Sequence, residues 1–287
     1  MKSVLITGTS KGIGLETALA FGRAGCRVFA TMRNPAHAPA LAEAAKRERL
    51  PITISVMDVD SDQSVRQAVN AIQQHGPIDV LVNNAGLERA GSVEEVPLSE
   101  FRAAIETNYL GAIRCIQGVL PQMRQRRAGC IINVTSVSGL IASPGLSAYA
   151  ASKWALEALS EALAGEVKAF GVRVAIVEPG IIDTSMARRI EAPASDSPYL
   201  HRARLSTLFQ ASLKKPVPPS LVAQKILEIA GGDGWQLRHL VGPDAPGFIA
   251  WRRNLTDEEW VSLGASDDET YFRSIQRDFP ARAVPSR

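Results

Sequence analysis

The sequence predicts an α/β fold, a single doubly wound domain on a parallel sheet of about seven strands with helices on both faces. Three observations carry this reading. Short apolar runs rich in β-branched residues recur along the chain, segments of helical period lie between them, and a glycine-rich turn, "TGTSKGIG" from Thr7 to Gly14, follows the first run directly. Consecutive apolar positions suit strands covered on both faces, and neighbouring parallel strands require crossovers that are almost always right-handed.

The expected strands run Ser3 to Ile6, Arg27 to Ala30, Ile52 to Val56, Ile78 to Val82, Cys130 to Val134, Val172 to Val177 and Arg238 to Val241. After the third, Asp60 and Ser61 offer an N-cap to a helix in which Val65, Ala68, Val69 and Ile72 repeat at helical spacing. After the fourth, Ile105, Tyr109, Ala112, Ile113, Ile116 and Leu120 do the same. The stretch 183–219 reads as one long connection with proline-rich flanks, a candidate substrate lid. Residues 252–287 read as a C-terminal extension, solvated or part of an oligomer contact, with capping-box patterns at Thr256/Glu259 and Ser266/Glu269.

Composition narrows the function classes. The 287 residues carry 32 Lys plus Arg against 29 Asp plus Glu, with no dense basic block, so no nucleic-acid partner is expected. No apolar run approaches the roughly 20 residues of a membrane span, the first residues do not read as a signal peptide, and a cytoplasmic location is expected. Cys26, Cys115 and Cys130 show neither metal-type nor CxxC spacing and read as buried, reduced thiols; the four histidines show no metal-ligand spacing, so no catalytic metal is expected.

Behind a strand and at the mouth of a helix, Gly8, Gly12 and Gly14 offer backbone N–H groups to a pyrophosphate. A Walker loop would carry Lys and Ser or Thr after its last glycine, and Leu15 stands there instead. Further motifs follow in order: "NNAG" at Asn83 to Gly86, Asn108 in "ETNYLGA", "NVTSVSG" at Asn133 to Gly139, "YAASK" with Tyr149 and Lys153, and Pro179-Gly180 with Thr184 beyond it. Ser136 stands thirteen residues before Tyr149. With these motifs the chain resembles the short-chain dehydrogenase/reductase family over roughly its first two-thirds, nearest in look to the steroid and retinoid dehydrogenase branch. The resemblance implies a Rossmann-type fold, nicotinamide-dependent oxidoreduction of a small-molecule carbonyl or alcohol, and a homodimer or homotetramer.

The residue roles follow from that resemblance. Tyr149 would be the general acid/base, Ser136 would hold the substrate oxygen, Lys153 would bind the nicotinamide ribose, and Asn108 would hold a water linking Lys153 to solvent. Tyr149 and Lys153 are four apart on a helix, so they share a face. A cation about 5 Å from the phenolate, at an effective dielectric near 20, supplies about 3 kcal/mol. That is enough to draw a phenol pKa of about 10 down by about two units.

Cofactor contacts are implied for Gly8, Ser10, Lys11, Gly12, Ile13 and Gly14 in the turn, and for Asp58 and Val59 after the third strand. Asn84, Ala85 and Gly86 after the fourth, and Pro179, Gly180, Ile182 and Thr184 after the sixth, complete the set with Tyr149 and Lys153. For Asn83 and Asn84 a role in clamping adjacent strands stands equally open. At the end of the second strand Met32 occupies the place where NAD-preferring relatives carry an acid, and Arg33 follows it. Arg33 and Lys11 together favour NADP(H) through a 2′-phosphate.

These observations lead to an NADPH-dependent carbonyl reductase acting on a hydrophobic ketone or aldehyde. Two other readings remain open at this level: a non-catalytic NADP(H)-binding regulator, and an epimerase or dehydratase on the same fold. The basic residues of the lid segment, Arg188, Arg189, His201, Arg202 and Arg204, are expected to form a solvated face rather than to meet an acidic substrate.

Overall fold

Side chains alternate across a strand, so a strand apolar at every position must feed two cores. The first strand does this: Val4 and Ile6 belong to one buried cluster and Leu5 to another, all fully shielded. In the computed structural model, which describes residues 1–190 and 197–278, the chain alternates strand and helix. The order is β1 (Ser3–Thr7), α1 (Gly12–Arg23), β2 (Arg27–Met32), α2 (Pro39–Glu48), β3 (Ile52–Val56), α3 (Asp62–Gln73), β4 (Val80–Asn83), α4 (Leu98–Ile105) and α5 (Gly111–Arg126). There follow β5 (Gly129–Val134), α6 (Ser147–Lys168), β6 (Val172–Pro179), α7 (His201–Leu213), α8 (Pro219–Gly231), β7 (Arg238–Val241), α9 (Ala245–Arg253), α10 (Asp257–Ala265) and α11 (Asp268–Asp278).

The seven strands form one sheet in the order β3-β2-β1-β4-β5-β6-β7, every pair parallel. The chain winds outward from β1 in one direction and from β4 in the other, which opens a crevice beyond the carboxyl ends of these two strands. Ala18 and Phe21 of α1, Leu41 of α2 and Val222 and Ile226 of α8 cover one face. Val65 and Val69 of α3, Cys115 and Val119 of α5 and Leu163 and Val167 of α6 cover the other. The inner strands are buried at nearly every position, whereas the edge strands β3 and β7 are only partly covered, because each has a neighbour on one side alone.

Ser61, not Asp60, caps α3, its hydroxyl accepting from the Ser64 N–H at 3.2 Å. The helix expected after β4 is interrupted between α4 and α5 by a π-helical turn, Glu106–Leu110, a device common at functional positions. Cys115 and Cys130 are buried as expected, while Cys26 is only partly so.

Two expectations change beyond β6. The stretch 183–219 is not a plain connection: it holds a 3₁₀ turn at Ala187–Arg189 and the whole of α7, with 191–196 outside the described residues. Arg204 of α7 is 2% exposed, its guanidinium donating to Asp268 and to the carbonyls of Gly264 and Ser266, so it belongs to no solvated face. The C-terminal extension is equally unlike a solvated appendage up to Asp278; 279–287 lie outside the described residues. Trp251 and Ile275 are buried in a cluster with Val137, Ile181 and Leu208, against the loops that follow β5 and β6. The capping box at Thr256/Glu259 forms. The one expected at Ser266 does not, because Ser266 closes α10 and Asp267 takes the Thr270 N–H instead.

Candidate active site

The glycine turn is built for backbone at close range. Gly8 and Gly12 have φ of +69° and +58°, a region that penalises residues with a Cβ. A Cβ on Gly14 would lie 2.3 Å from the Gly8 carbonyl oxygen and 2.4 Å from the Asn84 amide nitrogen. Lys11, exposed and extended, occupies the N-cap of α1; no side chain caps that end and no acid lies in its first turn. The free N–H groups and the positive end of the helix dipole are thereby left for an anion. Ser10 and Ile13 line the same turn, partly buried.

The asparagines of "NNAG" act as clamps. Asn84 donates to the carbonyls of Thr7 and Gly8 at 2.9 and 3.0 Å, and the Thr7 hydroxyl accepts from the Asn84 and Ala85 N–H groups. Asn83 donates across β4 and β5 to Asn133 at 2.8 Å, and Asn133 donates on to Ser160 of α6. Of the two roles left open by the sequence, clamping is the one these side chains perform. Ala85 and Gly86 carry the chain past them into the crevice.

Beyond the ends of β4 and β5 four polar side chains converge. Asn108, in the π turn and 1% exposed, accepts from the Leu87 N–H and donates to the Leu87 carbonyl and to the Ser152 hydroxyl, each at 2.8 Å. A Cβ on Gly86 would stand 3.2 Å from the Asn108 Oδ1, a tight contact, and 3.7 Å from the Lys153 Nζ. Lys153, 4% exposed, donates to the Val134 carbonyl at 2.9 Å and lies 5.6 Å from the centre of the Tyr149 ring. The Ser136 hydroxyl accepts from the Ser138 N–H at 3.1 Å, donates to the Pro179 carbonyl at 3.5 Å and lies close enough to the Tyr149 phenol to act on it.

The electrostatics differ from the sequence expectation. Burial pushes the Tyr149 phenol up to about 12, against a smaller opposing effect of the Ser136 hydrogen bond, and the charge of Glu88 adds to the rise. Burial also brings Lys153 down to about 8. The ammonium does not hold the phenol low in this state, because its bond to Val134 places it over the ring and desolvation outweighs it.

The loop after β6 closes the crevice. Gly180 donates to the Val241 carbonyl at 2.9 Å, and the next N–H, of Ile181, donates to Asp244 at 2.8 Å. A Cβ on Gly180 would meet Asp244 at 2.2 Å. Pro179 and Ile182 are buried, Ile182 with its side chain in the sheet core. The Thr184 methyl lies 3.3 Å from where a Cβ of Gly12 would stand, while its hydroxyl accepts from the Ala187 N–H.

On the far side of the turn, Arg33 is exposed but Met32 is 3% exposed in the core. The outward position is therefore the arginine's, and Met32 faces inward rather than occupying the place of a ribose-binding acid. Asp58 accepts from the Asp60 N–H at 3.2 Å. Val59 points into the core against Gly111, and its carbonyl accepts from Arg114.

Several positioning residues escape the sequence reading. Thr7 and Asn133 lie inside motifs but only the fold gives them partners, Ser152 is hidden beside Lys153, and Asp244 is far along the chain from the loop it holds. Glu88, two residues beyond "NNAG", has one carboxylate oxygen shielded from solvent with no hydrogen-bond partner. Among the described residues no cluster of metal-ligating side chains occurs, and no helix is long and apolar enough to cross a membrane.

An uncapped helix behind a glycine turn, with Tyr149, Lys153 and Ser136 at the adjoining strand ends, defines a dinucleotide-dependent oxidoreductase of Rossmann type. The family model for short chain dehydrogenase matches residues 2–195, and the chain belongs to the short-chain dehydrogenase/reductase family, whose members use nicotinamide cofactors. It is 36% identical over 265 residues to oxidoreductase BOA17 of Botryotinia fuckeliana, covering 90% of this chain and 96% of that one. It is 39% identical to retinol dehydrogenase 8 of Homo sapiens, covering 71% and 68%. The fold superposes on actinorhodin polyketide ketoreductase, solved with NADPH, at a TM-score of 0.76 and 28% identity, covering 85% of this chain and 97% of that one.

Proposed function

We propose that this protein is an NADPH-dependent carbonyl reductase, reversible as an alcohol dehydrogenase, acting on a ketone or aldehyde with a hydrophobic body. The observation that carries the reading is the convergence of Ser136, Tyr149, Lys153 and Asn108 beyond the ends of β4 and β5. A bound nicotinamide supplies or accepts the hydride. Tyr149 donates a proton to the oxygen that develops negative charge, and Ser136 holds that oxygen beside the phenol. Lys153 contributes positive charge and hydrogen bonds beneath them, and Asn108 locks the Leu87 backbone and Ser152 so that the floor of the site stays fixed.

The uncapped N-terminus of α1 and the turn at Gly8, Gly12 and Gly14 suit the pyrophosphate. Exposed Lys11, and Arg33 at the outward position beyond β2, favour the 2′-phosphate of NADP(H). The relative solved with NADPH supports the same choice. In this reading the segment 183–219 is the substrate lid, residues 252–287 form a C-terminal extension of one domain, and the enzyme works in the cytoplasm as a homodimer or homotetramer.

The test is NADPH oxidation over a panel of aromatic, aliphatic, steroid and retinoid carbonyls, run beside Tyr149→Phe. Turnover in the parent and its loss in the variant are expected. Nucleotide binding without turnover of any panel member would leave the reductase reading without support.

A further inference from the structure

Glu88 stands on the wall of the crevice, and nothing in the reductase chemistry uses it. Its chain position is fixed, since the neighbouring Leu87 is held at both N–H and carbonyl by Asn108. Its charge is felt by the Tyr149 phenol, and the backbone bond from Gly91 to Gly145 holds its loop against the loop that leads into α6 and Tyr149. Its Oε1 is shielded from solvent and without a hydrogen-bond partner.

The surrounding cations do not satisfy it. Arg89, Arg202 and Arg189 act on it electrostatically. Yet Arg89 sends its Nε to Glu100 and one terminal nitrogen to the Glu88 backbone carbonyl, and Arg188 beyond them pairs with Asp183. Among the described residues no ion pair joins Glu88 to any arginine, and the Nε of Arg202 is itself shielded and unpartnered. Burial raises the Glu88 carboxyl above its usual range, the signature of a group whose solvent has been removed and not replaced.

The wall around it combines these arginines with apolar side chains. Ala90, Leu146, Ile190, Leu205 and Phe209 form one cluster, and the Gly91 N–H donates to the Gly145 carbonyl at 2.8 Å, drawing the loop after Glu88 against the loop before α6. An unpaired acceptor in the crevice wall near the reacting group is the arrangement that fixes the orientation of a ligand.

We propose that Glu88 is a specificity-determining residue that binds a hydrogen-bond donor, a hydroxyl or a protonated amine, carried by the substrate within a few bonds of its carbonyl. The substrate class is then a hydroxy- or amino-substituted ketone or aldehyde with an apolar remainder. This rests on the reductase reading for the carbonyl and goes beyond it for the rest of the molecule. A site built to pair with a donor rejects the analogue that lacks one, because the carboxylate is then left buried and unpaired.

The probes are propiophenone, α-hydroxyacetophenone and α-aminoacetophenone, near-isosteres that differ in one group, with their homologues one methylene longer. In the parent protein kcat/KM for the better donor-bearing probe should exceed that for its plain isostere by about 10- to 100-fold. Glu88→Ala should collapse the ratio toward one, and Glu88→Gln should cost the ammonium probe more than the hydroxyl probe. A parent with no preference in either series, or a Glu88→Ala ratio equal to the parent's, overturns the proposal. Calorimetric binding of the same probes to the NADPH-loaded protein separates the two readings. Selective binding lost in Glu88→Ala, without turnover in the parent, sinks the reductase and keeps the Glu88 site; turnover without selectivity does the reverse.

Discussion

The ammonium of Lys153 is anchored to the carbonyl of Val134, at 2.9 Å, at the last residue of β5. A cation held by the sheet rather than by a flexible loop keeps one position through the reaction. It also spends a donor on the backbone, and the buried phenol of Tyr149 stays protonated up to about 12 while Lys153 loses its charge near about 8.

That pair of values sets opposite pH dependences for the two directions. Reduction needs a protonated phenol and a charged lysine, so its rate should stay level at low pH and fall as pH rises through about 8, with Lys153 and not Tyr149 responsible. Oxidation needs phenolate beside the charged lysine, so it should climb with pH up to about 8 and level off above it. Profiles of kcat in both directions check this, and a reductive profile that rises above about 8 would contradict it. Tyr149→Phe should lower kcat by about 100- to 10,000-fold in either direction.

Cofactor choice should follow Arg33 and Lys11. Changing both to Ala should reduce the preference for NADPH over NADH by at least about tenfold, measured as the ratio of kcat/KM. Arg33→Asp should move the preference toward NADH. Met32→Asp should not, because that side chain lies in the core; it should lower the unfolding midpoint instead.

Asp244 holds the loop that follows β6, and Asp244→Ala would leave the Ile181 N–H without its acceptor in a buried setting. A loss of about 1–3 kcal/mol in denaturant unfolding is expected, together with a raised KM for NADPH. Gly180→Ala should act in the same direction, since its methyl would meet the Asp244 carboxylate at 2.2 Å.

How much of this was legible in the sequence depends on the range of the interaction. β-branched runs located all seven strands, because a strand buried on both faces must be apolar at every position. The edge strand β3 was still legible because it is rich in β-branched residues, whereas β7, Arg-His-Leu-Val, shows the pattern only in its last two positions. Tyr149, Lys153 and Ser136 were legible because together they match the family's motifs at the expected spacing, while none of them is marked by its local pattern alone. Asp244 could not be found that way: its partner Ile181 is 63 residues away and no local pattern marks the pair. Arg204 was misjudged for the same reason, since only the C-terminal helices, folding back onto α7, turn a basic residue into a buried donor. The Tyr149 phenol was expected low from a single pair of charges, whereas desolvation depends on everything packed around it.

The carboxylates behind Lys153 give a test of stability that does not involve turnover. Glu157 of α6 and Glu178 of β6 are both buried and share Arg238 of β7, at 3.2 and 3.6 Å. Burial, reinforced by the charge of Glu157, raises Glu178 to about 7, more than Arg238 can offset. The folded protein therefore keeps a proton that the unfolded chain releases above about 4.5. The stability associated with that proton is present at low pH and is lost as pH rises through the interval up to about 7. Glu178→Gln, which cannot ionise, should match the parent near the acid end of the interval and exceed it above about 7 in denaturant unfolding. Arg238→Ala should do the opposite, since two buried carboxylates would be left without their shared cation and the loss with rising pH should steepen. Parallel stability curves for parent and Glu178→Gln across that interval would show that Glu178 is ionised throughout and that Arg238 compensates its burial in full.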